Sequence, residues 1–189
     1  MNEIHLELCA SDGWAEIVER DIVPWVLEGI DPGADVLEVG PGPGRTTDVL
    51  QRSFPHVTAV ELDDELARQL QARFAATNVR VVEGDGARLP FRDARFTAAF
   101  SFTMLHHVPS VDLQDRLLAE VARVLCPGAV LAGVDSRDSD DFRALHEGDV
   151  CVPVDPRTFG TRLQRAGFAR VDVDTNDFAT RFRAWTRTT

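Results

Sequence analysis

A stretch of alternating glycines, residues 36–45, is the part of the sequence best suited to hold a ligand. It reads VLEVGPGPGR and places glycines at Gly40, Gly42 and Gly44. Glycine has no Cβ, so the backbone of such a loop can approach a ligand closely and can adopt positive φ angles. Pro41 and Pro43 fix φ between the glycines and stiffen the loop. The pattern predicts a buried strand, a tight turn against a flat or polar ligand, and the start of a helix.

Two common glycine-rich loops do not fit this spacing. A phosphate-binding P-loop needs a Lys after its last glycine, and the sequence contains no Lys. The dinucleotide pattern G-x-G-x-x-G would need its third glycine at position 45, which is Arg45. The remaining alternative to a ligand loop is a turn rich in Gly and Pro that binds nothing.

The elements that must position this loop alternate between strands and helices. Short apolar runs predict strands at 36–39, Val57–Glu61, Val79–Glu83, Phe96–Phe102 and Ala129–Asp135. Helical patterns are predicted at 46–54, Asp63–Thr77, Asp112–Leu125 and Asp155–Ala166. Two further strands, Val171–Val173 and Phe178–Trp185, are joined by too few residues for a crossover helix, so they must be antiparallel. The sequence therefore predicts a doubly wound α/β fold, with a mostly parallel seven-stranded sheet and an antiparallel last strand.

The two ends of the predicted sheet region carry helical or loop segments. Residues 1–30 are predicted to form a helical segment that packs on the core, and residues 31–189 a single domain. Within residues 11–29, Ser11 or Asp12 can cap a helix that Pro24 bends or divides. Trp14 either packs on the sheet or belongs to a lid over the glycine loop. Residues 136–155 are predicted to be a short, solvated, Asp-rich cap loop, and no metal site is predicted.

Several motifs in this order resemble the class I S-adenosylmethionine-dependent methyltransferases, over roughly residues 35–175. The motifs are E-x-G-x-G-x-G at Glu38–Gly44, the strand end Ala59–Asp63, the turn Gly84–Phe91, the segment Ser101–Val108 and the stretch Val121–Gly128. Ala129 stands where the family usually has a second glycine. The subgroup implied is that of small-molecule and quinone-type or lipid methyltransferases, with a Rossmann-like fold and S-adenosyl-L-methionine as cofactor.

The resemblance implies a set of cofactor-binding residues. In open α/β sheets, ligands bind beyond the carboxyl ends of the strands. A carboxylate such as Glu61 can accept both hydroxyls of a ribose diol, and Asp85 can accept from the adenine amine while backbone N–H groups face the ring. The complete predicted set is Glu38, Gly40, Pro41, Gly42, Gly44, Glu61, Leu62, Asp85, Gly86, Ala87 and Ser101.

The implied reaction is an in-line displacement that transfers a methyl group to a small-molecule acceptor. His106 and His107 are the candidates for a general base, since a neutral imidazole has a pKa near 6.5. If strand geometry continues through the pair, their side chains face opposite ways and only one reaches the acceptor. A non-catalytic S-adenosylmethionine-binding protein is the alternative, and a nicotinamide-dependent oxidoreductase is disfavoured by Arg45 and the absent Tyr.

Composition limits the partners. The net charge of −11 disfavours nucleic acid, because a polyanion would be repelled by most of the surface. Ribosomal RNA adenine dimethyltransferases share the early motifs, but they carry N-x-P-[YF] where this sequence has Ser101–Met104. The sequence predicts no membrane span and no secretion signal, and its three widely spaced cysteines suit a reducing cytoplasm. We expect a cytoplasmic monomer or homodimer whose acceptor the sequence does not specify.

Overall fold

The computed structural model of the protein describes residues 2–188, in which helices cover both faces of one seven-stranded sheet. The strands are β1 (Asp35–Val39), β2 (His56–Glu61), β3 (Val79–Glu83), β4 (Phe96–Phe102), β5 (Leu125–Ser136), β6 (Arg170–Thr175) and β7 (Ala179–Trp185). Their order in the sheet is β3-β2-β1-β4-β5-β7-β6. All pairs are parallel except β5 with β7 and β6 with β7. The predicted fold class and its antiparallel end are confirmed.

Eight α-helices flank the sheet within the described residues. They are α1 (Glu3–Ala10), α2 (Asp12–Ile17), α3 (Val23–Leu27), α4 (Arg45–Ser53), α5 (Asp64–Arg73), α6 (Val111–Val124), α7 (Asp140–Leu145) and α8 (Pro156–Arg165). A π turn at Val18–Ile22 joins α2 to α3, and two 3₁₀ turns lie at Gly86–Arg88 and Leu105–His107. None of these helices is long and apolar enough to cross a membrane.

The core has two layers because alternate residues of each central strand face opposite sides of the sheet. Leu37 and Val39 of β1 pack in one cluster with residues of α6 and α8. Val36 lies in the other cluster, which α3, α4 and α5 cover with the π turn. Neither layer covers the carboxyl ends of the central parallel strands, which all lie at the same edge of the sheet.

The structure corrects several predicted boundaries. Helix α5 ends at Arg73 rather than Thr77. Strand β5 begins at Leu125, so Pro127 and Gly128 lie within it; its register with β4 shifts between Phe96 and Ala98, and this irregularity accommodates the turn residues. Met1 and Thr189, the outer ends of the two predicted domain ranges, lie outside the described residues.

The N-terminal and cap segments contain short helices whose bounds the sequence patterns did not predict. Helix α1 lies within the predicted helical segment 1–30 but before residues 11–29, where the helix cap was predicted. The Asn2 side chain caps α1 by accepting a 2.8 Å bond from the N–H of His5. Of the two predicted caps, Ser11 and Asp12, it is Ser11 that caps α2 by accepting from the N–H of Trp14. In the cap, Ser139 accepts from the N–H of Phe142 and begins α7. The prediction of a loop at 136–155 was therefore wrong for Asp140–Leu145. The Ser139 cap stabilises a helix of six residues, which is too short for hydrophobic periodicity to reveal.

Candidate active site

A cavity of about 900 Å³ opens at the carboxyl ends of β1, β2, β3 and β4. Small-molecule sites typically have volumes of roughly 300–1,000 Å³, so this cavity lies at the upper end of that range. Eight residues of the predicted cofactor set line it: Gly40, Pro41, Gly42, Glu61, Leu62, Asp85, Gly86 and Ala87. Residues that are more than 40 positions apart in sequence thus share one wall.

The glycine loop between β1 and α4 forms the floor of the cavity. Gly40, Gly42 and Gly44 all have positive φ angles, of 70°, 53° and 83°. The N–H of Gly40 donates to the carbonyl of Val60 at 2.9 Å, which ties the loop to β2. A Cβ added to Gly40 would lie 2.2 Å from Cγ of Met104, which also lines the cavity. Glycine is required here both by the backbone conformation and by the close approach of a neighbour.

Glu61 holds its carboxylate in a fixed orientation at the end of β2. One oxygen, Oε2, accepts from the N–H of Gly42 at 3.0 Å, and Oε1 accepts from the N–H of Asp63 at 3.0 Å. The residue is 7% exposed, and burial raises the pKa of its carboxyl group. Each oxygen has a further lone pair, so a diol can bind without breaking either backbone bond.

Asp85 and Ala87 form the turn after β3, the strand next to β2, and both line the cavity. The side chain of Asp85 is exposed and caps the 3₁₀ turn by accepting from the N–H of Ala87 at 2.8 Å. The Ala87 N–H thus has an intramolecular acceptor, and the contact of backbone N–H groups near Gly86 and Ala87 with an adenine ring stays a prediction. Gly86 is packed tightly, since a Cβ there would lie 2.9 Å from both Leu117 and Val39.

Glu38 does not line the cavity, which corrects its place in the predicted cofactor set. The residue is 1% exposed, and its two oxygens accept from the hydroxyl groups of Thr46 and Thr47 at the start of α4. Burial raises the pKa of the Glu38 carboxyl to about 7, and the two threonine hydrogen bonds oppose that shift. Glu38 therefore links β1 to α4 and helps to position the glycine loop that connects them.

Gly44 and Ser101 also lie away from the cavity wall. Gly44 closes the loop by donating to the carbonyl of Pro41 at 2.9 Å, and a Cβ there would lie 2.6 Å from Leu70. The lack of a side chain at Gly44 thus allows α5 to pack closely against the loop. Ser101 is 2% exposed and lies inside β4, because the side chain at this register position points into the sheet layers rather than beyond the strand end.

The residues just beyond β4 form the apolar end of the cavity. Phe102, Thr103 and Met104 line it together with Leu113 and Leu117 of α6. Thr103 has a φ of 46°, a left-handed conformation that is uncommon for a β-branched residue, and its N–H donates to Val134 at 2.8 Å. Strain of this kind is concentrated at functional sites. No signal in the sequence marked Thr103.

The N-terminal helices close one side of the cavity. Leu6 and Cys9 of α1 and Trp14 of α2 line it. Arg45, the first residue of α4, donates its Nε–H to the carbonyl of Ala10 at 3.0 Å and pairs with Asp12 at 3.1 Å. The residue that excluded a dinucleotide loop thus attaches the N-terminal segment to the glycine loop. Trp14 also packs against the core cluster, and a lid function for it stays a prediction.

The histidine pair does not follow the expected strand geometry. Leu105–His107 is a 3₁₀ turn, and the rings of His106 and His107 lie side by side with centroids 4.2 Å apart. Opposite orientations were expected only if strand geometry continued through the pair, and that condition is not met, because β4 ends at Phe102. His107 lines the cavity, whereas His106 is 1% exposed and lies behind it, 2.7 Å from Asp135. Burial and the neighbouring histidines lower the pKa of His107 to about 3.

Comparison with known proteins places the chain in a family. Residues 37–133, just over half of the chain, match the methyltransferase-domain family. The chain belongs to this methyltransferase family. Its structure superimposes on a S-adenosylmethionine-dependent methyltransferase from Aquifex aeolicus with a TM-score of 0.74, at 19% identity and over 98% of both chains. The predicted class I fold and its cofactor, S-adenosylmethionine, are confirmed.

The curated relatives of the methyltransferase differ in what they act on. A fatty-acid O-methyltransferase from Mycolicibacterium smegmatis is 34% identical over 112 residues, which cover 58% of this chain and 40% of the relative. A ribosomal RNA small subunit methyltransferase A from a Synechococcus strain is 52% identical over 61 residues, 32% of this chain and 22% of the relative. The chain spans half or less of the length of the curated relatives it matches.

The residues of the methyltransferase cavity fit S-adenosylmethionine. The site offers carboxylate acceptors at two separated points, Glu61 and Asp85, as the ribose hydroxyls and the adenine amine of this cofactor would need. Leu62, beside Glu61, is 70% exposed although it is a large apolar residue, so an apolar surface is available for a flat ring. Gly40 and Gly86 bring the backbone to the cavity wall at positions where a Cβ would lie within 3 Å of protein side chains.

The methyltransferase also contains a cluster that sequence analysis missed. His5 and His146 lie against His106 and His107, with ring centroids of His5 and His146 4.4 Å apart. His5 belongs to α1 and His146 follows α7, so their positions in the chain gave no ligand spacing. The only available signal was the adjacent pair His106-His107.

Proposed function

We propose that this methyltransferase transfers a methyl group from S-adenosylmethionine to a small organic acceptor. One observation supports this proposal above all: the glycine loop is hydrogen-bonded to Glu61 within a single cavity, and the far end of that cavity is apolar. Cofactor contacts lie at the carboxyl ends of β1, β2 and β3, and the apolar end lies after β4. The cavity therefore provides adjacent places for a donor and an acceptor.

The protein contributes mainly by binding, orienting and excluding water. When bound, the cofactor supplies an activated methyl group. Glu61 would hold the ribose hydroxyls, and the Asp85 turn would hold the adenine. Phe102, Met104 and Leu117 lower the local dielectric at the acceptor end, and the N-terminal helices limit access of water. A general-base role for His106 or His107 stays a prediction, and only His107 is on the cavity wall.

The charge of the protein and the lining of the cavity both bear on the chemistry of the acceptor. The net charge is −11, and the cavity wall near the acceptor end is formed by apolar side chains and a histidine rather than by arginines. RNA contact requires a basic surface, since phosphate neutralisation supplies most of the affinity. One relative is a fatty-acid O-methyltransferase, which supports a small organic acceptor. These points favour a small, largely apolar acceptor over RNA.

Transfer from labelled donor tests the proposal directly. The protein is incubated with S-adenosylmethionine carrying a labelled methyl group and, in parallel, with a metabolite extract, a lipid extract and total RNA. Gly42→Val, which places a branched side chain on the loop and blocks approach to the backbone, is the matched control. We expect label in an organic small molecule with the wild type and none with the variant.

The other outcomes separate the competing functions. Label in RNA would contradict a small-molecule acceptor. Cofactor binding with no labelled product in any fraction would favour the non-catalytic binding protein. Tight binding of NAD with no response to S-adenosylmethionine would overturn the cofactor as well as the reaction.

A further inference from the structure

Four of the five histidines of the chain converge on one point beside the cavity. His5, His106, His107 and His146 each offer one ring nitrogen, and these four atoms all lie within 4.8 Å of one another. The residues come from α1, from the 3₁₀ turn after β4 and from the end of α7. The fifth histidine, His56, lies exposed at the start of β2.

In two of the rings, a hydrogen bond to Nδ1 leaves Nε2 as the nitrogen available to a ligand. Nδ1 of His146 lies 2.6 Å from the carbonyl oxygen of Phe142, which can only accept, so Nδ1 carries the proton and Nε2 has a free lone pair. Nδ1 of His106 lies 2.7 Å from Oδ1 of Asp135, a carboxylate with no exposed surface. Histidines that bind metals are oriented by such carboxylate or carbonyl contacts to the second ring nitrogen.

Five buried ring nitrogens of the cluster have no hydrogen-bond partner among residues 2–188, although Nδ1 of His107 lies 3.9 Å from Oδ2 of Asp149. These buried atoms are Nδ1 of His5, Nε2 of His106, both nitrogens of His107, and Nε2 of His146. Leaving one buried polar atom unpaired costs roughly 1–3 kcal/mol, so ring packing alone does not account for a cluster with five.

We propose that His5, His106, His107 and His146 bind one divalent transition-metal ion, for which Zn²⁺ is the best match. Four neutral imidazoles suit Zn²⁺ and its tetrahedral geometry. Zinc–nitrogen bonds of about 2.0–2.1 Å place tetrahedral ligands roughly 3.3 Å apart, so the rings must close inward by about an ångström or more. Asp135 contacts Nδ1 of His106, and its negative charge would offset part of the positive charge of the ion.

The proposed ion would join three separate parts of the chain. Four protein ligands leave no open position in a tetrahedral site, which is the arrangement of structural zinc sites. The ion would fasten α1 and the segment after α7 to the turn that follows β4. Leu6 and Cys9 of α1 line the cavity, and so does His107, so the bound ion would order one wall of the active site. This inference does not rest on the proposed methyl transfer.

Metal titration of tag-free protein tests the site. Chelator-treated protein is titrated with Co²⁺ as a spectroscopic probe and with Zn²⁺ as competitor, and bound metal is counted by elemental analysis. We expect one ion per chain, visible absorption typical of tetrahedral Co²⁺, and a higher thermal midpoint with Zn²⁺. His5→Gln and His146→Gln should lower the affinity at least tenfold. Asp135→Asn should lower it about 10–100-fold through its effect on His106.

His56→Gln is the matched control and should bind Zn²⁺ as the wild type does. The proposal is overturned if the wild type binds no ion in stoichiometric amount, or if His56→Gln reduces binding as much as His5→Gln does. Circular dichroism establishes that each variant is folded. Should His146→Gln fail to fold, His5→Gln decides, because α1 lies at the periphery, and unchanged affinity in that variant overturns the site. Loss or retention of methyl transfer does not alter this metal count.

Discussion

The N–H of Gly42 donates a 3.0 Å hydrogen bond to Oε2 of Glu61. The bond joins the glycine loop after β1 to the carboxylate at the end of β2, across 19 residues of sequence. Each group therefore positions the other before a ligand binds: the amide orients the carboxylate, and the carboxylate holds the loop. A substitution at either residue should affect cofactor affinity through both.

Replacement of Glu61 by alanine should weaken binding of S-adenosylmethionine by roughly 1.5–3 kcal/mol, the range for a hydrogen bond to a charged group. The Gly42 amide also loses its acceptor, so the loop should become less ordered. Calorimetry measures the change in affinity. Glu83→Ala is the matched control, because Glu83 pairs in register with Glu61 but does not line the cavity. Equal effects of the two substitutions would remove Glu61 from the cofactor site.

Gly40→Ala and Gly29→Ala separate the cost of a left-handed backbone from the cost of a clash. Both glycines have a φ of 70°, but a Cβ at Gly29 meets nothing within 4 Å, whereas one at Gly40 lies 2.2 Å from Met104. Gly29→Ala should lower the free energy of unfolding by roughly 1–2 kcal/mol and leave cofactor affinity unchanged. Gly40→Ala should cost more and also reduce affinity, since Met104 must move within the cavity. Denaturant unfolding and calorimetry measure the two effects; identical results for both variants would contradict the close-approach argument.

Stability should fall as pH rises between about 4.5 and 7, in part because of Glu38. Burial raises the pKa of this carboxyl from its ordinary 4.5 to about 7, with smaller contributions from Glu61 and Asp48. The favourable contribution is complete below pH 4.5 and is lost as pH rises through about 7, a change of up to about 3 kcal/mol. Glu38→Gln should remove this part of the pH dependence in denaturant unfolding. An unchanged slope in the variant would show that Glu38 titrates normally.

Arg45→Gln should loosen the N-terminal helices more than Arg52→Gln does. Arg45 bonds the backbone carbonyl of Ala10 and is 26% exposed, whereas Arg52 pairs with Glu19 and both side chains are more than half exposed. Exposed ion pairs contribute about 0–1 kcal/mol, so Arg52 serves as the control. Hydrogen exchange of residues 3–17 should speed up in Arg45→Gln and change little in Arg52→Gln. Equal protection in both would mean that α1 is held by other contacts.

The sheet, its antiparallel end, the glycine loop and the Glu61 carboxylate at the end of a strand could all be predicted from the amino-acid sequence. These features depend on local chemistry: apolar runs form strands, glycines permit positive φ angles, and a connection of a few residues cannot cross a sheet. The family and cofactor followed from the order of such local features along the chain. Short capped helices such as α7 escaped because six residues are too few for periodicity to be read.

Which of the candidate residues face the cavity depends on how the helices pack against the sheet, and the sequence pattern does not show it. Glu38 lies one residue before the end of β1, and its side chain turns under the loop to Thr46 and Thr47, a direction that depends on where α4 packs. The 3₁₀ turn at His106 and His107 brings both rings to one side, where His5 and His146 arrive from distant parts of the chain. Sequence spacing cannot anticipate such a cluster, because its members are brought together by the packing of α1 and α7 on the sheet and not by any local repeat.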